Sequence, residues 1–421
     1  MPTPEPAPTT LPAPTLGALP TAPPPIVQHG PQAIVYVGTY TENTDSEGIY
    51  ALQMDLLTGQ LTPLGLIAKT PNPSFLQLHP SGRFLYAVNE LTDYEGQPTG
   101  AVSAFRIDPI SKRLVLMSIY PTGGGAPCHL TLDRRQRHLL VANYAGGSVA
   151  SFRIRPDGGL FNATQVAQHE GSSVNPQRQE GPHAHSVWVS PDNRFVMSAD
   201  LGIDKIVVYR FDGNTGQLTP SYGAPLPPGS GPRHMAFHNN QLFVINELAA
   251  NITRMKFDSN NGALTPEQTI STLPDGYSGR KSTAEVVVHP NGRFVYGSNR
   301  GDDSIAVFTL QRDGLKLVEI EKTGGQEPRN FSIDPTGAFL LAANQKSDTI
   351  QVFRIDPATG ALEPTEHTAN VPAPVCLRIG SMPPSQAVPR AVRMQPARGN
   401  QRYINVGITS SAVFAERVGP R

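Results

Sequence analysis

The sequence predicts an all-β fold, a seven-bladed β-propeller closed by pairing of its N- and C-terminal strands. Three observations support this prediction. The chain repeats itself at a period near 50 residues, each repeat contains four short β-rich segments, and the strand missing from the first repeat appears after the last one. Four antiparallel strands per repeat of this length are typical of propeller blades.

The first two strands of a repeat are predicted from two β-rich segments that flank a turn signal of the Pro-Gly or Pro-Asn type. Four copies are clear: "NPSFLQLHPSGRFLYAVNE" (72–90), "HSVWVSPDNRFVMSAD" (185–200), "EVVVHPNGRFVYGSN" (285–299) and "NFSIDPTGAFLLAAN" (330–344). Two further copies, at 128–144 and 234–247, keep both β-rich segments although their turns are degraded. Each copy therefore indicates a β-hairpin.

The third and fourth strands follow from a further β-rich segment and a second hairpin signal. "GSVASFRI" and "DTIQVFRID" are examples of the third segment. Thr-Gly-x-Leu or Asn-Gly-x-Leu then leads into the fourth, as in "TGQLTP" and "NGALTP". A glycine between two β-rich segments is a strong hairpin signal.

The residue that follows the second strand marks each repeat. It occurs seven times, at Tyr40, Glu90, Tyr144, Asp200, Glu247, Arg300 and Gln345. The first repeat begins at its second strand, "AIVYVGTY", and we expect "APVCLRI" (373–379) to supply its missing first strand. This closure covers edge strands that would otherwise promote aggregation.

Three regions are predicted from composition. Residues 1–32 are rich in proline without an apolar period, which favours a disordered arm. Residues 33–380 form the propeller, and residues 381–421 form a C-terminal tail in which the strand pattern fades.

Charge and cysteine content restrict the partners. The chain has 34 basic and 34 acidic residues, so it has no excess charge to attract nucleic acid or anionic lipid. A small molecule is the expected partner, whereas the oligomeric state is left open. Cys128 and Cys376 are too far apart in sequence for a zinc motif. No apolar run is long enough for a membrane span, and the first basic residue is Lys69, so we expect a cytoplasmic protein, or an exported one if its start lies upstream.

Candidate site residues come from one rim of the predicted propeller. The start of the first strand and the end of the second lie at the same end of an antiparallel pair. The first-strand row holds Ser74, Cys128, His185, Arg233, Ala284 and Arg329, and the second-strand row is the seven-residue series given above. The two rows combine histidine, arginine and carboxylates at one channel mouth. Arginines in such a place can bind a phosphate or carboxylate, and histidine or glutamate can transfer a proton.

Each candidate also has a structural interpretation. His183 and His185 can be packed rings at a strand entrance, and the arginines can form salt bridges between blades. The shared Asn-Glu pairs at Glu90 and Glu247 can be a feature of the repeat. The "HxH" pattern with scattered carboxylates is a weak indication of a metal, so we predict no metal and no cofactor.

An ordered series of motifs resembles the bacterial lactonase family of seven-bladed propellers. The series comprises "VGTYT", "NPSFLQLHPSGRFLYAVNE", "EGPHAHSVWVSPDNRF", "GPRHMAFH", "LFVINEL" and "GGQEPRNFSIDPTG", and the resemblance runs from about residue 34 to 379. It implies hydrolysis of a sugar lactone without a metal, most specifically 6-phosphogluconolactone. By motif, it implies catalytic roles for His185, Arg233 and Glu247, with His185 or Glu247 as the base. Substrate binding is expected at His183, Arg300, Arg329, Glu90 and Asp200.

Two other functions are alternatives to a lactonase. A cycloisomerase acting on a muconate-like dicarboxylate would use the same arginines with a different proton donor. A propeller that only binds a ligand or protein at its rim would need none of the clustered histidine, arginine and glutamate residues.

Overall fold

The computed structural model describes residues 31–381, together with Met1. Regular secondary structure in this part of the chain consists of 28 strands arranged as seven antiparallel sheets of four. The described residues include no helix that could span a membrane. The predicted fold class, an all-β seven-bladed propeller, is confirmed.

Blade 1 combines the two ends of the described chain. It contains β1 (Gln32–Thr39), β2 (Gly48–Asp55), β3 (Leu61–Lys69) and β28 (Pro374–Ser381), in the order β28-β1-β2-β3. Val35 lies opposite Ile379 and Val37 opposite Leu377. The predicted closure by terminal strands is therefore confirmed.

The other six blades are each formed by four consecutive strands. Blades 2 to 4 are β4 (Leu76–Leu78), β5 (Phe84–Asn89), β6 (Ala101–Ile107) and β7 (Leu114–Pro121); β8 (Pro127–Leu132), β9 (His138–Asn143), β10 (Ser148–Ile154) and β11 (Leu160–Gln168); and β12 (Ala184–Val189), β13 (Phe195–Asp200), β14 (Lys205–Asp212) and β15 (Gln217–Pro225).

Blades 5 to 7 follow the same pattern. They are β16 (Pro232–His238), β17 (Gln241–Asn246), β18 (Asn251–Phe257) and β19 (Leu264–Ser271); β20 (Thr283–Val288), β21 (Phe294–Asn299), β22 (Ser304–Gln311) and β23 (Gly314–Lys322); and β24 (Pro328–Ile333), β25 (Phe339–Asn344), β26 (Thr349–Ile355) and β27 (Leu362–Asn370).

Consecutive blades contact each other mainly through their first and second strands, with further contacts between outermost strands such as β7 and β11. β28 of blade 1 contacts both β4 and β24. The second strands are buried along nearly their whole length, as in the fully buried β9, β21 and β25. The outermost strands alternate between exposed and partly buried residues, as in β11. The strands reach one residue beyond each predicted boundary of the propeller. Apart from Met1 and Pro31, the remainder of the predicted arm and tail lies outside the described residues.

The glycine of the second hairpin signal is explained by a contact between blades. Four of these glycines have φ between 80° and 83°: Gly59, Gly216, Gly262 and Gly360. At Gly262 a Cβ atom would meet the ring of Phe195, which begins β13 of the neighbouring blade. Gly360 lies against Phe294 of the preceding blade in the same way. The hairpin glycine therefore permits both a left-handed backbone and close packing of adjacent blades.

We expect Gly262→Ala to destabilise the protein more than Gly65→Ala. Gly65 has φ of 81°, close to the 83° of Gly262, but nothing lies within 4 Å of the Cβ position at Gly65. The left-handed conformation alone costs about 1–2 kcal/mol for alanine, and overpacking against Phe195 adds about 1–3 kcal/mol. Denaturant unfolding of the two variants measures the difference, and equal losses would contradict the packing role.

Candidate active site

The first strands of four blades each carry one unpaired residue at a repeated β-bulge. The register of β8, β12, β16 and β24 shifts at the second residue of the strand, opposite the end of the next strand. The unpaired residues at these shifts are Cys128, His185, Arg233 and Arg329. A bulge commonly redirects a side chain next to a functional site. Four of the six residues in the predicted first-strand row therefore share one backbone position.

The second-strand row is marked by a backbone hydrogen bond that recurs from blade to blade. Glu247 N donates to Gly231 O, and Arg300 N donates to Ser282 O, both at 2.7 Å. In blade 4 the same bond runs from Leu201 N to His183 O at 2.9 Å. Leu201, and not Asp200, is therefore the member of this row in blade 4, so the predicted register of Asp200 is wrong by one residue.

Asp200 occupies the position that asparagine holds in five other blades: Asn89, Asn143, Asn246, Asn299 and Asn344. Asn299 donates to Thr272 O at 2.7 Å, whereas Asp200 accepts from His169 Nδ1 at 2.6 Å. The Asp200 carboxylate also accepts from the backbone amides of His183 and Gly202 and is fully buried. These hydrogen bonds connect the end of β13 to the neighbouring loops.

Glu247 lies at the centre of the candidate site. Its Oε2 is 3.1 Å from Arg233 Nε and 2.9 Å from Arg300 Nη2, and its Oε1 is 2.8 Å from Arg178 Nη2. The side chains of Glu247 and Arg233 are only 4% and 2% exposed. Three guanidinium groups from different segments therefore surround one buried carboxylate.

His185 lies beside this cluster. Its Nε2 is 4.0 Å from Glu247 Oε2, and its Nδ1 is 3.6 Å from Cys128 Sγ. The ring also packs edge-on against His234, with 5.5 Å between centroids. The structure thus brings together His185, Arg233 and Glu247, the three predicted catalytic residues, from blades 4 and 5.

Burial and neighbouring charges determine the charge states of the two candidate bases, Glu247 and His185. Burial alone would raise the pKa of Glu247, but Arg300, Arg233 and Arg178 outweigh it and lower that pKa to about 2. Burial, together with the charge of Arg233, holds the pKa of His185 well below its usual range. At neutral pH the site therefore contains an ionised Glu247 and a neutral His185.

A second cluster adjoins the first and contains two more predicted residues. Arg329 Nη2 donates to the Tyr40 hydroxyl at 2.6 Å, and its guanidinium lies over the Tyr40 ring. The same hydroxyl donates to both carboxylate oxygens of Glu90, at 2.9 and 3.0 Å, and Ser74 Oγ also donates to Glu90. Glu90 is therefore held by Tyr40 of blade 1 and Ser74 of blade 2. Arg329 of blade 7 contacts the same Tyr40 hydroxyl.

His183 contacts Tyr144 and Glu180. Its ring stacks on Tyr144 with centroids 4.5 Å apart, its Nδ1 is 3.1 Å from Tyr144 O, and its Nε2 is 3.1 Å from Glu180 Oε1. Both ring nitrogens thus have protein partners. The role predicted for His183 in substrate binding stays a prediction.

The geometry can be compared with known proteins. The seven-bladed β-propeller family described as lactonase matches residues 34–379. The chain belongs to this family. The predicted resemblance is confirmed over the residues that carried it, and so is the predicted class of enzyme, a lactonase.

This lactonase aligns with nearly the whole length of individual relatives. It is 36% identical to the 6-phosphogluconolactonase of Bacillus subtilis over 349 residues, which is 82% of this chain and 97% of that one. It is 33% identical to the 6-phosphogluconolactonase of Formosa agariphila, covering 78% of this chain and 94% of that one. Among solved structures, the periplasmic gluconolactonase of Pseudomonas aeruginosa has a TM-score of 0.79 and 37% identity, covering 84% of this chain and all of that one.

Sequence reasoning missed Arg178. It lies in the connection between β11 and β12, residues 169–183, which is longer than any other connection between blades in residues 31–381. The repeat pattern is absent from this segment, so alignment of the blades gives no position to examine. The available signal was its length, because long loops at one end of a rigid scaffold often carry function.

The candidate site contains side chains of the kinds that bind metal ions. Within residues 31–381, no group of three or more His, Cys, Asp and Glu side chains is arranged to hold a metal ion. Glu247, the carboxylate nearest to His185, is already bonded to guanidinium groups.

We expect Glu247→Gln to lower the free energy of unfolding by about 3–5 kcal/mol at neutral pH, because it leaves buried arginines without their counter-ion. The folded pKa of about 2 lies below the unfolded value of about 4.3. The stabilisation by Glu247 is therefore complete above about pH 5 and is lost as the pH falls towards 2.

Denaturant titrations of the wild type and the variant between pH 2.5 and 7 measure this difference. The gap should be constant from about pH 5 to 7 and narrow below that. Glu47→Gln, at an exposed pair with Lys69, is the control and should show a gap near zero. A gap for Glu247→Gln that persists unchanged at the lowest pH would contradict the assignment.

Proposed function

We propose that this lactonase hydrolyses 6-phosphogluconolactone to 6-phosphogluconate at the channel mouth. The observation that carries the proposal is the 4.0 Å approach of neutral His185 to a carboxylate that also binds Arg233 and Arg300. A proton acceptor, its counter-ion and two cations thus lie in one buried space. The names of the two curated relatives support the choice of a phosphorylated sugar lactone.

Hydrolysis of a lactone needs a group to stabilise the negative charge that develops on the carbonyl oxygen. Arg300 fits this need because its Nε is buried without a hydrogen-bond partner. Buried donors in native proteins are almost always paired. A substrate oxygen would supply the missing acceptor, with Arg233 adding positive charge from the same side.

In the proposed reaction, His185 Nε2 accepts a proton from water while the water oxygen attacks the lactone carbonyl carbon. The carbonyl oxygen becomes an oxyanion beside Arg300 and Arg233. As the tetrahedral intermediate collapses, the bond between the carbonyl carbon and the ring oxygen breaks, and the ring oxygen takes the proton from His185. The product is a hydroxy acid, whose carboxylic proton is released to solvent at neutral pH.

Glu247 acts in this proposal as the counter-ion of the imidazolium and not as the base. A carboxylate with a pKa of about 2 is a weak proton acceptor at neutral pH. Its negative charge stabilises His185 once the ring is protonated, as a buried carboxylate does in other histidine-dependent hydrolases. Arg329 lines the adjoining space and is proposed to bind oxygen atoms of the sugar.

We expect His185→Asn to lower kcat for 6-phosphogluconolactone by about 10²–10⁴-fold, the usual contribution of a general base. Acid release in a weakly buffered solution, corrected for spontaneous hydrolysis, measures the rate. His79→Asn is the control, since His79 lies in the turn between β4 and β5, at the other end of the first strand. Wild-type turnover by His185→Asn would contradict the proposed base, and loss of activity with a chelator would point to a metal.

We expect kcat/KM to stay constant as the pH falls from 8 to about 6 and to decrease only at lower pH. This parameter reports the pKa of the essential base in the free enzyme. His185 has a lowered pKa because of burial and nearby Arg233, so its neutral form persists below the usual imidazole range of about 6.5. A decrease centred at or above pH 6.5 would contradict His185 as the base.

The same assays separate the other candidate functions. Conversion of a muconate-like dicarboxylate, with neither lactone hydrolysed, would identify a cycloisomerase. Stoichiometric binding without turnover of any of these compounds would identify a binding propeller. The cytoplasmic compartment stays a prediction, and fractionation of cells would test it.

A further inference from the structure

Arg178 differs from the other two arginines that contact Glu247. Arg233 and Arg300 extend from blades 5 and 6, and their side chains are 2% and 10% exposed. Arg178 comes from the 169–183 connection, and its side chain is 39% exposed. Its Nη2 contacts both Glu247 Oε1, at 2.8 Å, and the Tyr144 hydroxyl, at 3.2 Å. It is the solvent-facing member of the cluster.

The backbone that carries Arg178 is well anchored. The next residue, Gln179, is fully buried, and its Nε2 donates to Leu201 O at 2.9 Å. Asn175 N donates to Gln179 Oε1 at 3.1 Å, and Ser173 Oγ donates to Asp204 Oδ2 at 2.6 Å. The guanidinium can therefore change partners by side-chain rotation alone, with the loop in place.

The site concentrates positive charge around one carboxylate. Four arginines (Arg178, Arg233, Arg300 and Arg329) interact electrostatically with Glu247. Each of them also has another carboxylate nearby, and these are Glu180, Glu285, Glu327 and Glu90, respectively. Glu247 is therefore shared by several cations, and a phosphate monoester, which carries about −1.5 to −2 at pH 7, can draw one of them away.

One contact in the cluster is open to exchange with a phosphate, since the buried Arg300 Nε is already proposed to bind the oxyanion. Arg178 uses one nitrogen for both of its side-chain contacts, although its guanidinium fork can bind two oxygens of one phosphate side by side. A phosphate thus offers Arg178 a better match than its shared contact with Glu247.

We propose that Arg178 recognises the phosphate of the substrate and leaves Glu247 when it does so. This inference rests on the proposed function and adds the group that distinguishes phosphorylated from unphosphorylated lactones. Departure of Arg178 removes one of the three cations on Glu247, so the carboxylate becomes a stronger partner for the His185 imidazolium. A phosphorylated substrate therefore activates the site that hydrolyses it, whereas gluconolactone leaves Arg178 on Glu247. Selectivity produced in this way appears in kcat as well as in KM.

The test compares the wild type with Arg178→Ala, Arg178→Lys and Arg194→Ala. Arg194 is an exposed arginine paired with Asp192 in the β12–β13 turn and serves as the matched control. For each protein, kcat and KM are measured on 6-phosphogluconolactone and on gluconolactone, and gluconolactone hydrolysis is repeated with added inorganic phosphite.

For Arg178→Ala we expect kcat/KM on 6-phosphogluconolactone to fall about 10- to 100-fold, the range for loss of a charged hydrogen bond. Gluconolactone turnover should rise, because Glu247 is released from Arg178. Phosphite should accelerate gluconolactone hydrolysis by the wild type and by Arg194→Ala but not by Arg178→Ala. Arg178→Lys, which keeps the charge without the fork, should fall between the wild type and Arg178→Ala.

An equal loss on both lactones would overturn the inference and leave Arg178 as a residue that only positions Glu247. A wild type that hydrolyses neither lactone would contradict the proposed function instead. In that case, calorimetric binding of 6-phosphogluconate and gluconate still decides the role of Arg178. The wild type should prefer the phosphorylated acid, Arg178→Ala should lose that preference, and an unchanged preference would overturn the inference.

Discussion

The pairing of β28 with β1 is the constraint on which the rest of the structure depends. Without it, blade 1 has three strands and the ring has two open faces. The candidate site exists only in the closed ring, because its side chains come from separate blades and one loop. Tyr40 in blade 1, for example, bonds to Arg329 of blade 7, 289 residues along the chain. The hydrogen bonds between β1 and β28 thus support contacts between residues that are far apart in the sequence.

The site shows how a propeller combines stability and chemistry. A fully buried arginine such as Arg233 is costly to desolvate, and a nearby carboxylate offsets this cost only with good geometry. Glu247 supplies that geometry for Arg233 and Arg300 together, and the neighbouring arginines lower its pKa to about 2. Burial and the charge of Arg233 lower the pKa of His185. The charge states on which the proposed roles of the two residues rest therefore follow from charge and burial.

The fold was predictable because its signals repeat. The hairpin glycines, the pairs of β-rich segments around a turn and the missing first strand of blade 1 all occur in a regular order. The rim row containing His185, Arg233 and Arg329 was also predictable, since it occupies one position in aligned repeats. Asp200 was placed one residue off because aspartate replaces the asparagine that marks the end of the second strand in other blades. The replacement is balanced by His169, a partner that the alignment does not reveal.

Other parts of the site had no repeating signal. Arg178 lies in a connection without counterparts in other blades, and its contact with Glu247 spans 69 residues. Which buried charges pair with each other also depends on distances in the folded structure, and a sequence pattern does not contain these distances. Periodicity identifies which residues reach the mouth, whereas three-dimensional packing decides which of them touch.

Two side chains of the first-strand row bond to the backbone of the next blade. Arg233 Nη1 of blade 5 donates to the backbone oxygen of Ala284 in blade 6 at 2.7 Å. Cys128 Sγ of blade 3 lies 3.3 Å from the backbone oxygen of His185 in blade 4. The orientation of these side chains is therefore set partly by main-chain atoms of the adjacent sheet. A small displacement of one blade against the next would move them without any change in their own sequence.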